Sequence, residues 1–137
     1  MAAVGKRAWE LYRLLITLIA LACVAQIYLA GRGVFGIRGS ASLADQTSFD
    51  PHRTLGNVIA FASVAAFVLA LVLWDRRLIL SMLILAVLAE GVQHATTTTE
   101  HPWVAGLHAV SGVMILGLAG SSAFRAWRHR GVAEATT

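Results

Sequence analysis

The sequence predicts an all-α fold, an integral membrane four-helix bundle of up-down-up-down topology with both termini cytoplasmic. Three observations predict it. Of 137 residues, 58% are hydrophobic and 13% charged, and mean hydropathy is positive, which is too apolar for a water-soluble domain of this size. The apolar residues gather into four stretches, Leu14–Ala30, Leu55–Trp74, Leu78–Val92 and Val104–Phe124. The basic residues alternate across the connections. Lys6, Arg7, Arg13, Arg76, Arg77, Arg125, Arg128 and Arg130 fall on one side and only Arg32, Arg38 and Arg53 on the other. Short cytoplasmic segments retain Lys and Arg, so the first set marks the inner face.

Each span follows from length. Crossing a hydrocarbon layer of roughly 30 Å takes about 20 helical residues, with about 17 to 25 tolerated. The first, second and fourth stretches meet this directly. The third meets it by running on through Gln93 and His94 to about Thr96, so its outer end is polar. The first stretch is expected to be retained and not cleaved as a signal peptide, because its apolar run is long and Tyr28 spoils a small-residue cleavage site at Ala30. Residues 1–130 are thus expected to form one transmembrane domain, with residues 131–137 a disordered tail.

The connections carry their own signals. The first, from Gly31 to Pro51, is glycine-rich and the only one with room for a lid. Asp50-Pro51-His52 suits a helix start, with Asp50 as N-cap, Pro51 in the first turn and His52 just inside the second helix. Trp74-Asp75-Arg76-Arg77 is a tight turn that makes helices two and three antiparallel neighbours. Pro102 starts the fourth helix and places His108 about one and a half turns inside it. Small residues on helices two and four, among them Ala60, Ser63, Ala66, Ala70, Gly112, Gly117, Ala119 and Ser121, allow the close backbone approach that holds helices together in lipid.

Composition also limits function. The net charge of +4 is accounted for by the topology and gives no reason to invoke nucleic acid. A single cysteine, Cys23, makes no internal disulfide, and without Cys-x-x-Cys-His there is no covalent c-type haem attachment.

The residues with chemistry lie at the outer face. His52, His94, His101 and His108 all fall there, and two open matching patterns, His52-x-x-x-Gly56 and His108-x-x-x-Gly112. Positions i and i+4 share a helix face, so glycine leaves room for a flat macrocycle against the backbone while the imidazole reaches its iron. Helices two and four are diagonal partners in this topology. The expected ligand is therefore a b-type haem with His52 and His108 as axial ligands, backed by Gly56 and Gly112. Arg53 is the best-placed cation for its propionates. The alternative is two interfacial histidines bonded to water or backbone carbonyls.

Glu90, Gln93 and His94 form a second polar stripe on helix three. A carboxylate so far from a helix end is expensive in lipid, about 2.5–3.5 kcal/mol at the bilayer centre, so it is expected to face the bundle interior. There it is either a proton relay or quinone-side group, or a buried carboxylate that is neutral or paired with Arg32 or His94. A transition-metal site built from the four histidines with Glu90 or Glu100 is a further alternative, without the short spacing of a zinc signature. Gln26 reads as an interhelical hydrogen-bonding group. His129 lies among cytoplasmic arginines, with no separate role.

Through Val24-Ala25-Gln26-Ile27-Tyr28-Leu29-Ala30-Gly31, Phe49-Asp50-Pro51-His52-Arg53-Thr54-Leu55-Gly56 and Pro102-Trp103-Val104-Ala105-Gly106-Leu107-His108, the chain resembles an uncharacterised family of small four-helix membrane proteins found mainly in actinobacteria. More distantly it is similar to one half of a haem A synthase. In that family a histidine-arginine pair opens the second helix of a half, matching His52-Arg53 here, and a further histidine in the fourth helix matches His108. The resemblance implies haem binding and a membrane setting. This chain supplies one four-helix half where haem A synthase has two, which points to haem binding, electron transfer or a homodimer in place of haem A synthesis. A cofactor-free accessory subunit of a larger membrane complex is the second function these features allow.

Overall fold

The computed structural model describes residues 2–36, 47–97 and 101–134. They are all-helical, with four helices long and apolar enough to cross a membrane. In the order of the chain these are α1 (Ala2–Gly36), α2 (Asp50–Leu73), α3 and α4 (Pro102–Glu134). α3 is composite. It runs as α-helix over Arg76–Ala86, loosens to a π-helical segment over Val87–Val92 and closes as α-helix over Gln93–Thr97.

α1 packs against α2 and α4, and α3 packs against the same two, so α1 and α3 lie across one diagonal and α2 and α4 across the other. On α1 the buried residues Ala8, Tyr12, Ile16, Ile19 and Cys23 recur every three to four positions, forming one stripe. Leu11, Leu14, Leu18, Leu21, Val24 and Ile27 cover the opposite face and are exposed. The bulky α1 stripe meets small residues on both neighbours, Ala60, Ser63, Ala66 and Ala70 on α2, and Ser111, Ala119, Ser122, Ala123 and Ala126 on α4. Large against small brings the backbones close, the packing that lipid-embedded helices depend on.

The start of α2 differs from expectation, whereas its end makes the expected tight turn. Its N-cap is Phe49, which makes no side-chain cap bond, and Asp50 is the first helical residue, followed by Pro51. The Asp50 carboxylate instead accepts from Arg53, 3.3 Å away, while the Phe49 carbonyl closes the first turn by accepting from Arg53 N–H at 2.9 Å. An acid inside the first turn still complements the helix dipole. At the other end Trp74 takes a left-handed conformation, φ 53°, and its N–H bonds Leu71 O. Asp75 then caps α3, accepting from Arg77 N–H at 2.8 Å and Leu78 N–H at 3.1 Å.

The first connection is shorter than the sequence suggests, because α1 stays helical through Gly31 and Gly33 to Gly36. Gly33 is buried against Phe49, and a Cβ there would stand 2.6 Å from two atoms of the Phe49 ring. Glycine is thus required for α1 to pass the residue that caps α2. α4 likewise continues past Gly131 to Glu134, so residues 131–134 do not belong to a structureless tail. Residues 135–137 lie outside the described residues.

Candidate functional site

The ends of α1 and α3 and the beginnings of α2 and α4 meet at one end of the bundle. Here His52, from the first turn of α2, and His108, from the second turn of α4, face each other across the diagonal. Their ring centroids are 6.1 Å apart and the planes are inclined at 61°. Phe49 packs edge-on beside His52, at 6.4 Å between centroids.

Each imidazole is held through Nδ1. That of His52 lies 3.3 Å from the carbonyl oxygen of Gln26 on α1, which can only accept. That of His108 lies 3.3 Å from Thr96 Oγ1 on α3. The Thr96 hydroxyl also lies 2.8 Å from Val92 O and 3.1 Å from Gln93 O, and when its one proton goes to either carbonyl its oxygen accepts from His108. With Nδ1 of each neutral ring donating in this way, Nε2 of each keeps a lone pair. This is the tautomer of a metal-bound histidine whose other nitrogen is anchored by an acceptor.

Two glutamines support the pair in corresponding ways. The Gln26 amide from α1 lies against Gly56, one turn beyond His52, where an added Cβ would stand 3.0 Å from Nε2. The Gln93 amide from α3 lies against Gly112, one turn beyond His108, where a Cβ would stand 3.6 Å from Nε2. Gln93 Nε2 also donates to His108 O at 3.1 Å and Ser111 Oγ at 2.9 Å, and Ser111 Oγ donates to the same carbonyl at 3.0 Å. The Oε1 atom of Gln26 is buried without a hydrogen-bond partner. The α1–α2 and α3–α4 hairpins thus present the same triplet, glutamine, histidine and glycine, to one shared space.

The other residues singled out in the sequence divide. Gln93 faces inward as expected, but Glu90 and His94 are exposed, which corrects the expectation of an inward polar stripe. The cause is the π-helical segment. With Gln93 N–H bonded to Leu88 O, five residues back, the helix is wound more loosely, and Ala89 takes the buried position while Glu90 turns outward. The His94 ring stays on its own helix, with Nδ1 3.0 Å from Glu90 O. Arg53 is exposed and bound to Asp50, Arg32 and His101 are exposed, and Arg38 and Glu100 lie outside the described residues. Among the described residues no group of three or more His, Cys, Asp or Glu is placed to hold a metal ion, so these residues do not assemble the multi-histidine metal centre.

The sequence did not reveal Thr96, one of four consecutive threonines, or Ser111, and it gave Gln26 only a generic role. A polar residue on each odd-numbered helix at the depth of a histidine on its partner was the available signal. No family model matches the chain, and no curated protein or solved structure is detectably similar to it.

Proposed function

We propose that this protein is a small b-type cytochrome-like haem-binding protein of the cytoplasmic membrane, with His52 and His108 as axial ligands near the extracytoplasmic face. Its role would be electron transfer or haem handling. The observation that carries this reading is the facing pair of rings, 6.1 Å apart, each with Nδ1 3.3 Å from an oxygen on the neighbouring helix. The spacing agrees. Two imidazoles bound to one metal through bonds of about 2.0–2.1 Å have ring centroids about 6 Å apart, against 6.1 Å here.

The donor set suits haem iron, which two neutral imidazoles hold in six-coordinate b-type sites. Space for the macrocycle depends on the glutamines. Gln26 and Gln93 fill the notches over Gly56 and Gly112, and both are long, flexible side chains that can swing aside. Gln26 Oε1, buried and unpartnered, makes no hydrogen bond that such a movement would break, whereas Gln93 would give up its bonds to His108 O and Ser111 Oγ. A haem held there supplies one-electron chemistry when bound. The chain's part is to fix the imidazole tautomers through Gln26 O and Thr96 Oγ1 and to exclude lipid and water from the ligand side. Arg53, exposed at the same end, is the cation available to propionates.

The charge asymmetry supports cytoplasmic termini and an outward-facing histidine end. A second reading, a cofactor-free accessory subunit, is favoured by Glu90. An exposed carboxylate within a membrane span is costly in lipid, and a second copy or another subunit covering α3 would relieve that cost. A homodimer would also restore an eight-helix body.

Spectra of the protein purified in mild detergent from haem-replete cells separate the two readings. The first expects a Soret band and, after dithionite, sharpened α and β bands that disappear in His52→Ala and in His108→Ala. Absence of the bands, or their survival in both variants, supports the second.

A further inference from the structure

Arg13 lies at the opposite end of the bundle from the histidines. Its side chain is not a solvated topogenic charge but is buried, at 5% exposure, on the α1 face that packs inward. The guanidinium carbon stands 4.0 Å from the centroid of the Trp127 ring on α4. That ring is fixed in turn by Trp127 Nε1 donating to Thr17 Oγ1 at 3.0 Å, while the Thr17 hydroxyl donates to Arg13 O at 2.7 Å. Arg13 Nε and Nη1 are buried without a hydrogen-bond partner, and so is the hydroxyl of the fully buried Tyr12 beside it.

A guanidinium stays protonated in any protein environment, so these are charged donors withdrawn from water without an acceptor. That arrangement is expensive unless something supplies one. No carboxylate among the described residues pairs with Arg13, and Asp75 Oδ1 is taken up in capping α3. Trp127 offsets part of the charge, but only over the ring-facing side. The donors of a guanidinium lie in its own plane, so stacking on Trp127 does not satisfy them. Arg125, exposed on α4 with Nη2 3.0 Å from the buried Ser122 hydroxyl, adds a second cation on the same side.

From this cluster we propose a phosphate-binding site at the Arg13 end of the bundle, with Arg13 as its principal donor, Tyr12 and Arg125 as supporting donors and Trp127 as one wall. Planar multi-donor arginine is the side chain best suited to a phosphate group. The depth suits a lipid. Trp9, Trp74 and Trp127 all lie at this end, where interfacial tryptophans mark the headgroup layer. A phosphate ester of an anionic lipid and free inorganic phosphate share the recognising chemistry, and the test distinguishes them.

The full-length protein in neutral detergent is titrated separately with phosphatidylglycerol, phosphatidylcholine and inorganic phosphate, following tryptophan emission and the unfolding temperature. Wild type is expected to respond saturably to phosphatidylglycerol, with phosphatidylcholine much weaker. Arg13→Met, which keeps the bulk and removes the donors, is expected to fold at least as well and to weaken that response by at least about tenfold, the loss expected for one hydrogen bond to a charged group. Arg13→Lys should recover part of it. Arg76→Gln with Arg77→Gln lowers surface charge at the same end and should change the affinity far less. A saturable response to inorganic phosphate alone, lost in Arg13→Met, would assign the site to the soluble anion. An Arg13→Met protein that responds to phosphatidylglycerol as wild type does, or a wild type that responds to neither source, would overturn the proposal.

Discussion

Replacing glycine by alanine at three positions tests the packing and the proposed ligand site with a single methyl group. In the interior of a helix, alanine is favoured over glycine by about 0.8–1.0 kcal/mol, and the surroundings of each new Cβ decide how much survives. At Gly112 the methyl would meet Gln93 Nε2 at 3.6 Å, an ordinary contact, so Gly112→Ala should stabilise the haem-free protein by up to about 1 kcal/mol. At Gly56 the contact with Gln26 Nε2 is 3.0 Å. A flexible amide must yield by a few tenths of an ångström, leaving Gly56→Ala near neutral. At Gly33 the methyl would stand 2.6 Å from the Phe49 ring, which cannot yield without disturbing the cap of α2 and the ring edge against His52. Gly33→Ala should therefore destabilise by about 1–3 kcal/mol, as overpacking does. Thermal unfolding of haem-free protein in detergent, followed by circular dichroism, should rank Gly112→Ala above Gly56→Ala above Gly33→Ala. Haem titration followed at the Soret band should give another pattern, with both Gly56→Ala and Gly112→Ala weakened because the macrocycle needs the space the methyl takes. A stable Gly33→Ala would refute the packing argument. Undiminished haem affinity in both of the other variants would refute the glycine-backed placement.

Three further outcomes are expected. Thr96→Val removes the acceptor of His108 Nδ1–H and should cost about 1–3 kcal/mol by thermal unfolding, the cost of a buried donor left unpaired, with Thr96→Ser restoring most of it. Asp75→Ala removes the acceptor of two N–H groups at the start of α3 and should cost about 0.5–2 kcal/mol, measured in the same way. Glu90→Leu removes an exposed carboxylate within a span. It should stabilise the isolated protein, and light scattering in detergent should show less self-association if a second copy covers Glu90.

The fold was legible because lipid imposes it. Four apolar stretches of spanning length leave few arrangements, and short turns such as Trp74-Asp75 fix which helices are neighbours. The meeting of His52 and His108 was also legible, since the diagonal and the matching depth follow from topology and helix rise. The orientation of α3 beyond Ala86 was not. A regular helical period joins Glu90, Gln93 and His94 into one stripe, and the π-helical segment breaks that period. Nothing in Val87–Val92 announces it beyond Gly91, where the helix is least constrained. Asp50 was misread as a cap because a proline and an acid suit either register. Arg13 was legible as a positive charge, but its burial against Trp127 depends on α4 and is invisible to any local reading.

The central claim is that two imidazoles, each fixed at Nδ1, present Nε2 to one haem iron. The most direct measurement is the dithionite-reduced minus oxidised spectrum of wild type, His52→Ala, His108→Ala and His94→Ala. The account predicts low-spin b-type bands in wild type and His94→Ala, lost or converted to a high-spin form in each of the other two. Bands absent from wild type, or abolished by His94→Ala alone, would contradict it.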